Sequence, residues 1–105
     1  MSNDPSVTPE YILRLFITGT TARSTRAIEN MRRICAESLH GRYNLEIIDI
    51  YEHPELTKEF QIVAAPTLVK ALPLPLRRII GDLSDKQRVL AGLDVTPVDQ
   101  AEKPD

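Results

Sequence analysis

The chain has 105 residues, a formal net charge of −2, 42% hydrophobic residues and one cysteine. That length and apolar content suit a single domain with a modest core, and the slightly acidic balance excludes nucleic acid as an electrostatically driven main partner. A lone thiol excludes an intrachain disulfide and any Cys-x-x-Cys redox or zinc site, and it fits a reducing cytoplasm.

Residues 1–9 are polar, lack the apolar stretch of a secretory signal and read as a flexible N-terminal tail. Residues 11–18 predict a strand that is apolar on both faces except at Arg14, hence not an edge strand. Gly19-Thr20-Thr21 is a turn. Residues 23–39 predict an amphipathic helix, with Ile28, Met31, Cys35 and Leu39 stepping by three and four onto one face. Glu29 and Arg33 form an i,i+4 pair on its other face, and Gly41 ends it. Residues 43–51 predict a second strand, apolar at Leu45, Ile47, Ile48 and Ile50. This completes a βαβ unit with parallel strands and a right-handed crossover. Pro54 suits the first turn of a short helix reaching Phe60. Residues 67–72 and 77–81 predict two more strands, and residues 84–93 a last helix. The tail from Val95, with Pro97 and Pro104, reads as disordered. The domain expected is therefore 10–94, between flexible segments 1–9 and 95–105.

Residues 72–85 form the most informative segment. Pro73 and Pro75 fix φ, remove two backbone donors and push Leu72 and Leu74 away from helix. Ile79-Ile80 then favours strand, while Ser84 with Gln87 three residues on reads as a capping box. Such a hinge permits more than one arrangement of the second half. Residues 62–83 are long enough for a membrane span, but Lys70, Arg77, Arg78 and the three prolines Pro66, Pro73 and Pro75 argue against one.

The resulting order, β-α-β-α-β-β-α, is that of thioredoxin. Ala64-Ala65-Pro66-Thr67 stands where thioredoxin-like folds keep a proline with a cis bond before it. The alternative is a trans proline at a strand start, where sheets tolerate one. The turn that holds the thioredoxin nucleophile corresponds to residues 20–23 and contains no thiol, so disulfide exchange is chemically unavailable.

Residues 72–94, read as LPLPLRRIIGDLSDKQRVLAGLD, resemble the C-terminal half of the KaiB family, the fold-switching component of the Kai circadian clock. Ala65-Pro66-Thr67-Leu68, the strand Ile47-Ile48-Asp49-Ile50 and the helix start Ser24-Thr25-Arg26-Ala27 fit the same family. The resemblance implies an α/β protein with a thioredoxin-like βαβ core and a C-terminal half that can switch fold. It implies a resting tetramer or dimer and a rarer thioredoxin-like monomer. That monomer would bind the N-terminal ATPase ring of a KaiC-family protein, with KaiA-like or histidine-kinase output proteins as further partners. It also implies no catalytic activity and no cofactor. The turn 19–24 lacks the Asn and Pro common there in clock KaiB proteins, and Cys35 and His53 are untypical. Both an oscillator protein and a stress or output paralogue fit this pattern. A thiol-free thioredoxin-like sensor module is the rival reading.

Candidate site residues follow. Cys35, on the apolar helical face, reads as a buried small hydrophobe. His40 and His53 lack ligand-spaced partners and read as solvated, and no Ser-His-Asp order, Gly-rich phosphate loop or zinc pattern appears. Arg77 and Arg78 are consecutive, so on a strand they point to opposite faces. They either blunt an edge strand or meet an acidic partner surface, and the resemblance favours the second. Lys70 and Arg26 are further partner-binding candidates. Pro66, Pro73, Pro75, Gly92 and Asp94 are candidates for controlling the fold switch. Gly92 reads as a C′ glycine or a residue that tunes helix stability, and Asp94 as an anion that the helix dipole disfavours.

Overall fold

The computed structural model describes residues 10–95. The expectations for residues 1–9 and 96–105 lie outside them. Strand β1 (Tyr11–Ile17) is followed by α1 (Ala22–Ile34), which runs on as a π-helical turn over Cys35–Leu39. Then come β2 (Tyr43–Asp49), α2 (Pro54–Glu59), β3 (Thr67–Leu72), β4 (Arg77–Ile80) and α3 (Lys86–Gly92). The element order is the expected one.

The four strands form one sheet in the order β2-β1-β3-β4. β1 lies parallel to β2 and antiparallel to β3, and β4 is antiparallel to β3. The central place of β1 follows from its two apolar faces. Tyr11, Leu13, Leu15 and Ile17 join Leu68 against Ala27, Met31, Ile34, Cys35 and Leu39 of the α1 segment and Val89, Leu90 and Leu93 near α3. On the other face Phe16, Ile48 and Val69 pack with Leu56, Phe60 and Ile62 of the α2 region. The sheet is thus a middle layer, with α1 and α3 on one side and α2 on the other. Arg14, the one polar residue within β1, meets its cross-strand partner Glu46 at 3.4 Å and lies over the Phe60 ring at 5.2 Å.

Several local expectations change. The helix predicted over 23–39 widens into the π-helical turn, then stops at His40 (φ 48°) and Gly41 (φ 82°), both left-handed. The Glu29–Arg33 pair is replaced by Arg33 donating to Asn30 Oδ1 at 2.9 Å, a shorter reach along the same face. The predicted capping box fails. Asp85, one residue beyond Ser84, is the N-cap of α3 and accepts from the Arg88 N–H at 3.2 Å, a position that Asp and Ser fill about equally well. β2 stops at Asp49, two residues early, because Asp49 turns its carboxylate onto the Gly19 and Tyr51 N–H groups at 3.1 and 2.9 Å. The bond before Pro66 is cis, in keeping with the thioredoxin-like arrangement, and those before Pro73 and Pro75 are cis as well.

The end of α3 departs most from expectation. Gly92 is not the residue after the helix but its last member. Leu93 is the cap and Asp94 takes the left-handed position, with φ 59°. The Asp94 N–H bonds Ala91 O at 3.2 Å and the Val95 N–H bonds Leu90 O at 3.0 Å, the two bonds of a Schellman stop. The sequence pattern puts Val95 in the tail, yet it is 8% exposed and belongs to the core, where Leu90 also lies.

Candidate functional site

Lys70 sits in β3 opposite Arg77 of β4, on the face that carries α1 and α3. It is 1% exposed, so in this fold it is a buried cation and not a partner contact, which corrects the sequence-based assignment. A buried ammonium needs a counter-charge. Asp94 supplies it, with Oδ2 at 3.7 Å from Lys70 Nζ and at 2.8 Å from Arg77 Nε. Hydrogen bonding from Arg77 first, and then the two cations, hold the Asp94 carboxyl below the ordinary aspartate range. Asp94 is therefore an attracted anion. The helix-dipole reading that called it a weakening residue is overturned by two long-range partners.

Arg78 projects to the other face, as alternation requires, and donates from Nε to Phe60 O at 3.1 Å. Arg77 and Arg78 are both largely exposed. Arg26, in the first turns of α1, meets Asp82 at 3.4 Å, so it too has an internal partner. Asn30 Nδ2 donates to Asp82 O at 2.8 Å, and Lys86 meets Glu37 at 3.0 Å. These links fasten the α1 segment to the chain that runs from β4 into α3. The Asp82 carboxyl is lowered, first by the Ser84 side chain and then by Arg26.

The parallel and antiparallel registers bring Ile17, Asp49, Thr67 and Ile80 to one end of the sheet. Thr21 caps α1 there by accepting from the Ser24 N–H at 3.2 Å, and the buried Ser24 Oγ accepts from the Thr18 N–H at 3.0 Å. In a redox thioredoxin this end holds the reactive thiol. Here Cys35 lies more than three helical turns away, fully buried, with its thiol pushed up to about 12 by desolvation. The same end exposes Val63 and Tyr51 almost fully.

Beside β4 lies a cleft of about 560 Å³, bounded by β4, the turn 81–85, the first turns of α3 and Arg23 of α1. Sequence reasoning missed this grouping because Arg23 is far in the chain from Asp82 and Arg88. Only the docking of α1 and α3 on one face of the sheet brings them together. Among the described residues no group of three or more His, Cys, Asp or Glu is gathered for a metal, and no helix is long and apolar enough to cross a membrane. His53 is a surface residue 3.6 Å from Glu55.

These features define a thioredoxin-like domain in which the nucleophile position carries no thiol. Solved structures agree on the fold. Mitochondrial thioredoxin 3 of Saccharomyces cerevisiae superposes with a TM-score of 0.67 at 17% identity, covering 83% of this chain and 79% of that one. The N-terminal domain of Synechococcus elongatus SasA gives 0.68 at 24% identity, covering 85% and 88%. A family model described as the KaiB domain matches residues 14–95. The circadian clock protein KaiB3 of a Synechocystis species is 54% identical over 86 residues, covering 82% of this chain and 84% of the relative. The circadian clock oscillator protein KaiB of Synechococcus elongatus is 49% identical over 85 residues, covering 81% and 83%. The chain belongs to the KaiB family.

Proposed function

We propose that this protein is a non-enzymatic circadian-clock or clock-derived signalling component. In its thioredoxin-like state it binds the N-terminal ATPase ring of a KaiC-family protein and modulates that protein's phosphorylation or output. The observation that carries this reading is a KaiB-family sequence folded as a thioredoxin-like domain whose nucleophile turn has no thiol. The exposed Arg77, Arg78 and Arg26 are the contacts offered to an acidic surface, and Arg forks match carboxylates well. The resting form is a cytoplasmic homotetramer or dimer. Pro66, Pro73, Pro75, Gly92 and Asp94 bias the balance between it and the thioredoxin-like state.

The test is a pull-down and a binding time course with purified KaiC-family hexamers from the same source. Slow association is expected where the competent fold is a minor state, because apparent affinity scales with its fraction. Arg78→Ala should weaken the complex by roughly 2 kcal/mol if the contact is buried and little if it lies at the rim. Arg77→Ala should weaken it less, since Arg77 already serves Asp94. Unchanged affinity in both variants would leave the arginines as edge blunters.

A thiol-free sensor module is the second reading, favoured by the fold shared with the SasA N-terminal domain. A monomer at all concentrations in size-exclusion chromatography, with no KaiC-family binding, is the outcome that favours it.

A further inference from the structure

β4 is the last strand in the order β2-β1-β3-β4, so among the described residues only one of its edges is paired. Antiparallel pairing decides which groups face outward, because hydrogen-bonded and non-bonded positions alternate. The Gly81 N–H donates to Pro66 O at 3.0 Å, and Ile80 and Ile79 lie opposite Thr67 and Leu68. The bonded positions are therefore 77, 79 and 81. The N–H and C=O groups of Arg78 and Ile80 point away from β3, toward the open edge, and Ile80 is 62% exposed.

The cleft described above runs along this edge and brings Arg23 and Arg88 to its α1/α3 side, while the Arg78 side chain lies on the opposite face of β4, donating to Phe60 O. None of these three guanidiniums meets a carboxylate among the described residues. Of the two carboxylates in the lining, Asp82 is offset by Arg26, while Asp85 accepts the neutral Arg88 N–H and leaves one negative charge against the arginines. The site thus combines strand donors and acceptors, one apolar side chain and surplus positive charge.

We propose that the outer edge of β4 is a docking site for an extended acidic segment of a partner protein, added as a fifth strand. Main-chain bonds to Arg78 and Ile80 supply the register, and alternate side chains of the guest meet Ile80 and the arginines. The charge selects the occupant. A second copy pairing β4 with β4 would bring two arginine-lined clefts together, and like charges facing each other across strands are unfavourable. An acidic guest turns the same arginines into attractions. The surface shares Arg78 with the proposed KaiC-family contact, but its test contains no such protein, so the two readings fail separately.

The test titrates the full-length, 15N-labelled protein with an acetylated, amidated Glu-Val-Glu-Val-Glu-Val peptide, alongside its Lys-for-Glu counterpart. Saturable binding of the acidic peptide is expected, with slowed amide exchange at Arg78 and Ile80 and no change at Ile79. Ile80→Pro removes an outward donor without breaking a ladder bond and should weaken binding about tenfold or more. The paired substitution Arg23→Glu with Arg88→Glu keeps the edge intact and should reverse the preference toward the Lys peptide. It tests the site by itself if the proline variant does not fold. Equal binding of the two peptides by the wild-type chain would overturn the proposal. So would protection of Arg78 and Ile80 before any peptide is added, which would mean the edge is already covered.

Discussion

Lys70 reaches the end of α3 from inside the sheet, and its ammonium depends on Asp94 for a counter-charge. The two partners are unequal. Lys70 is buried, whereas the Asp94 side chain is 45% exposed and keeps Arg77 if Lys70 is lost. Lys70→Met is therefore expected to change stability by no more than about 1 kcal/mol, because it replaces a buried charge with an apolar chain of similar length. Asp94→Asn keeps a residue that tolerates the left-handed backbone but strands the buried ammonium, and it should be the more destabilising of the two. Urea denaturation of both variants checks this, and the reverse ranking would show that Lys70 finds its compensation elsewhere. Cys35 poses a simpler case. With its thiol near 12 and fully buried, native-state labelling should be slow and should accelerate on unfolding. Cys35→Ser should cost about 1–3 kcal/mol, the usual range for a hydroxyl placed in an apolar site without a partner. Rapid labelling of the native protein would contradict the burial.

At the level of elements, α3 is held by its ends. Asp85 caps its start, and the Asp94–Val95 stop closes the other end. Gly92 lies inside the helix without a left-handed φ, so alanine should gain up to about 1 kcal/mol in propensity there. A Cβ at that position would sit 2.8 Å from Ile79 Cδ1, so the Ile79 side chain must first move. Gly92→Ala is expected to stabilise this fold by less than propensity alone suggests. Ile79→Val deletes the offending methyl at a typical cost of about 1 kcal/mol. A double-mutant cycle should then show the pair better than the sum of its singles. Strict additivity would mean that Ile79 yields freely. A cation suits the dipole at a helix C-terminus, yet Asp94→Arg sets a third cation beside Lys70 and Arg77 and should lower the stability of the thioredoxin-like arrangement. If that variant nevertheless populates this arrangement more, the gain must come from greater damage to an alternative fold.

For the whole molecule, the linkage between Asp94 or Asp82 and pH has a definite sign. Both carboxyls have folded values below the ordinary aspartate value, Asp94 chiefly through Arg77 and Asp82 chiefly through Ser84. The unfolded chain therefore binds more protons in acid, and the stability these groups provide is present at neutral pH and lost as the pH falls past the ordinary value toward the lowered ones. The urea midpoint should decline below about pH 5 and keep falling beneath the ordinary aspartate value, and less steeply in Asp82→Asn/Asp94→Asn. An identical slope in that variant would assign the acid sensitivity to other carboxylates. Both aspartates tie the second half of the chain to the rest, Asp82 to α1 and Asp94 to β3 and β4. Acid below the ordinary aspartate value should loosen that half first, which amide exchange resolved by residue would reveal.

The order of elements was readable because each carries a local signal. β1 is apolar on both faces, α1 repeats by three and four, Pro54 opens α2, and Arg77-Arg78 must split across the faces of a strand. The single cysteine on an apolar stripe was enough to place the thiol in the core. What the chain's own pattern could not decide is where charge goes. Lys70 carries no mark of burial in sequence, and Asp94 looks like an anion at the wrong end of a helix. Asp85 and Ser84 compete for one cap. Those outcomes depend on groups brought together by the crossing of β1 between β2 and β3 and by α1 and α3 meeting on one face. A charge is satisfied by its nearest neighbours in space, and for Lys70, Arg77 and Asp94 those neighbours exist only once the sheet has closed.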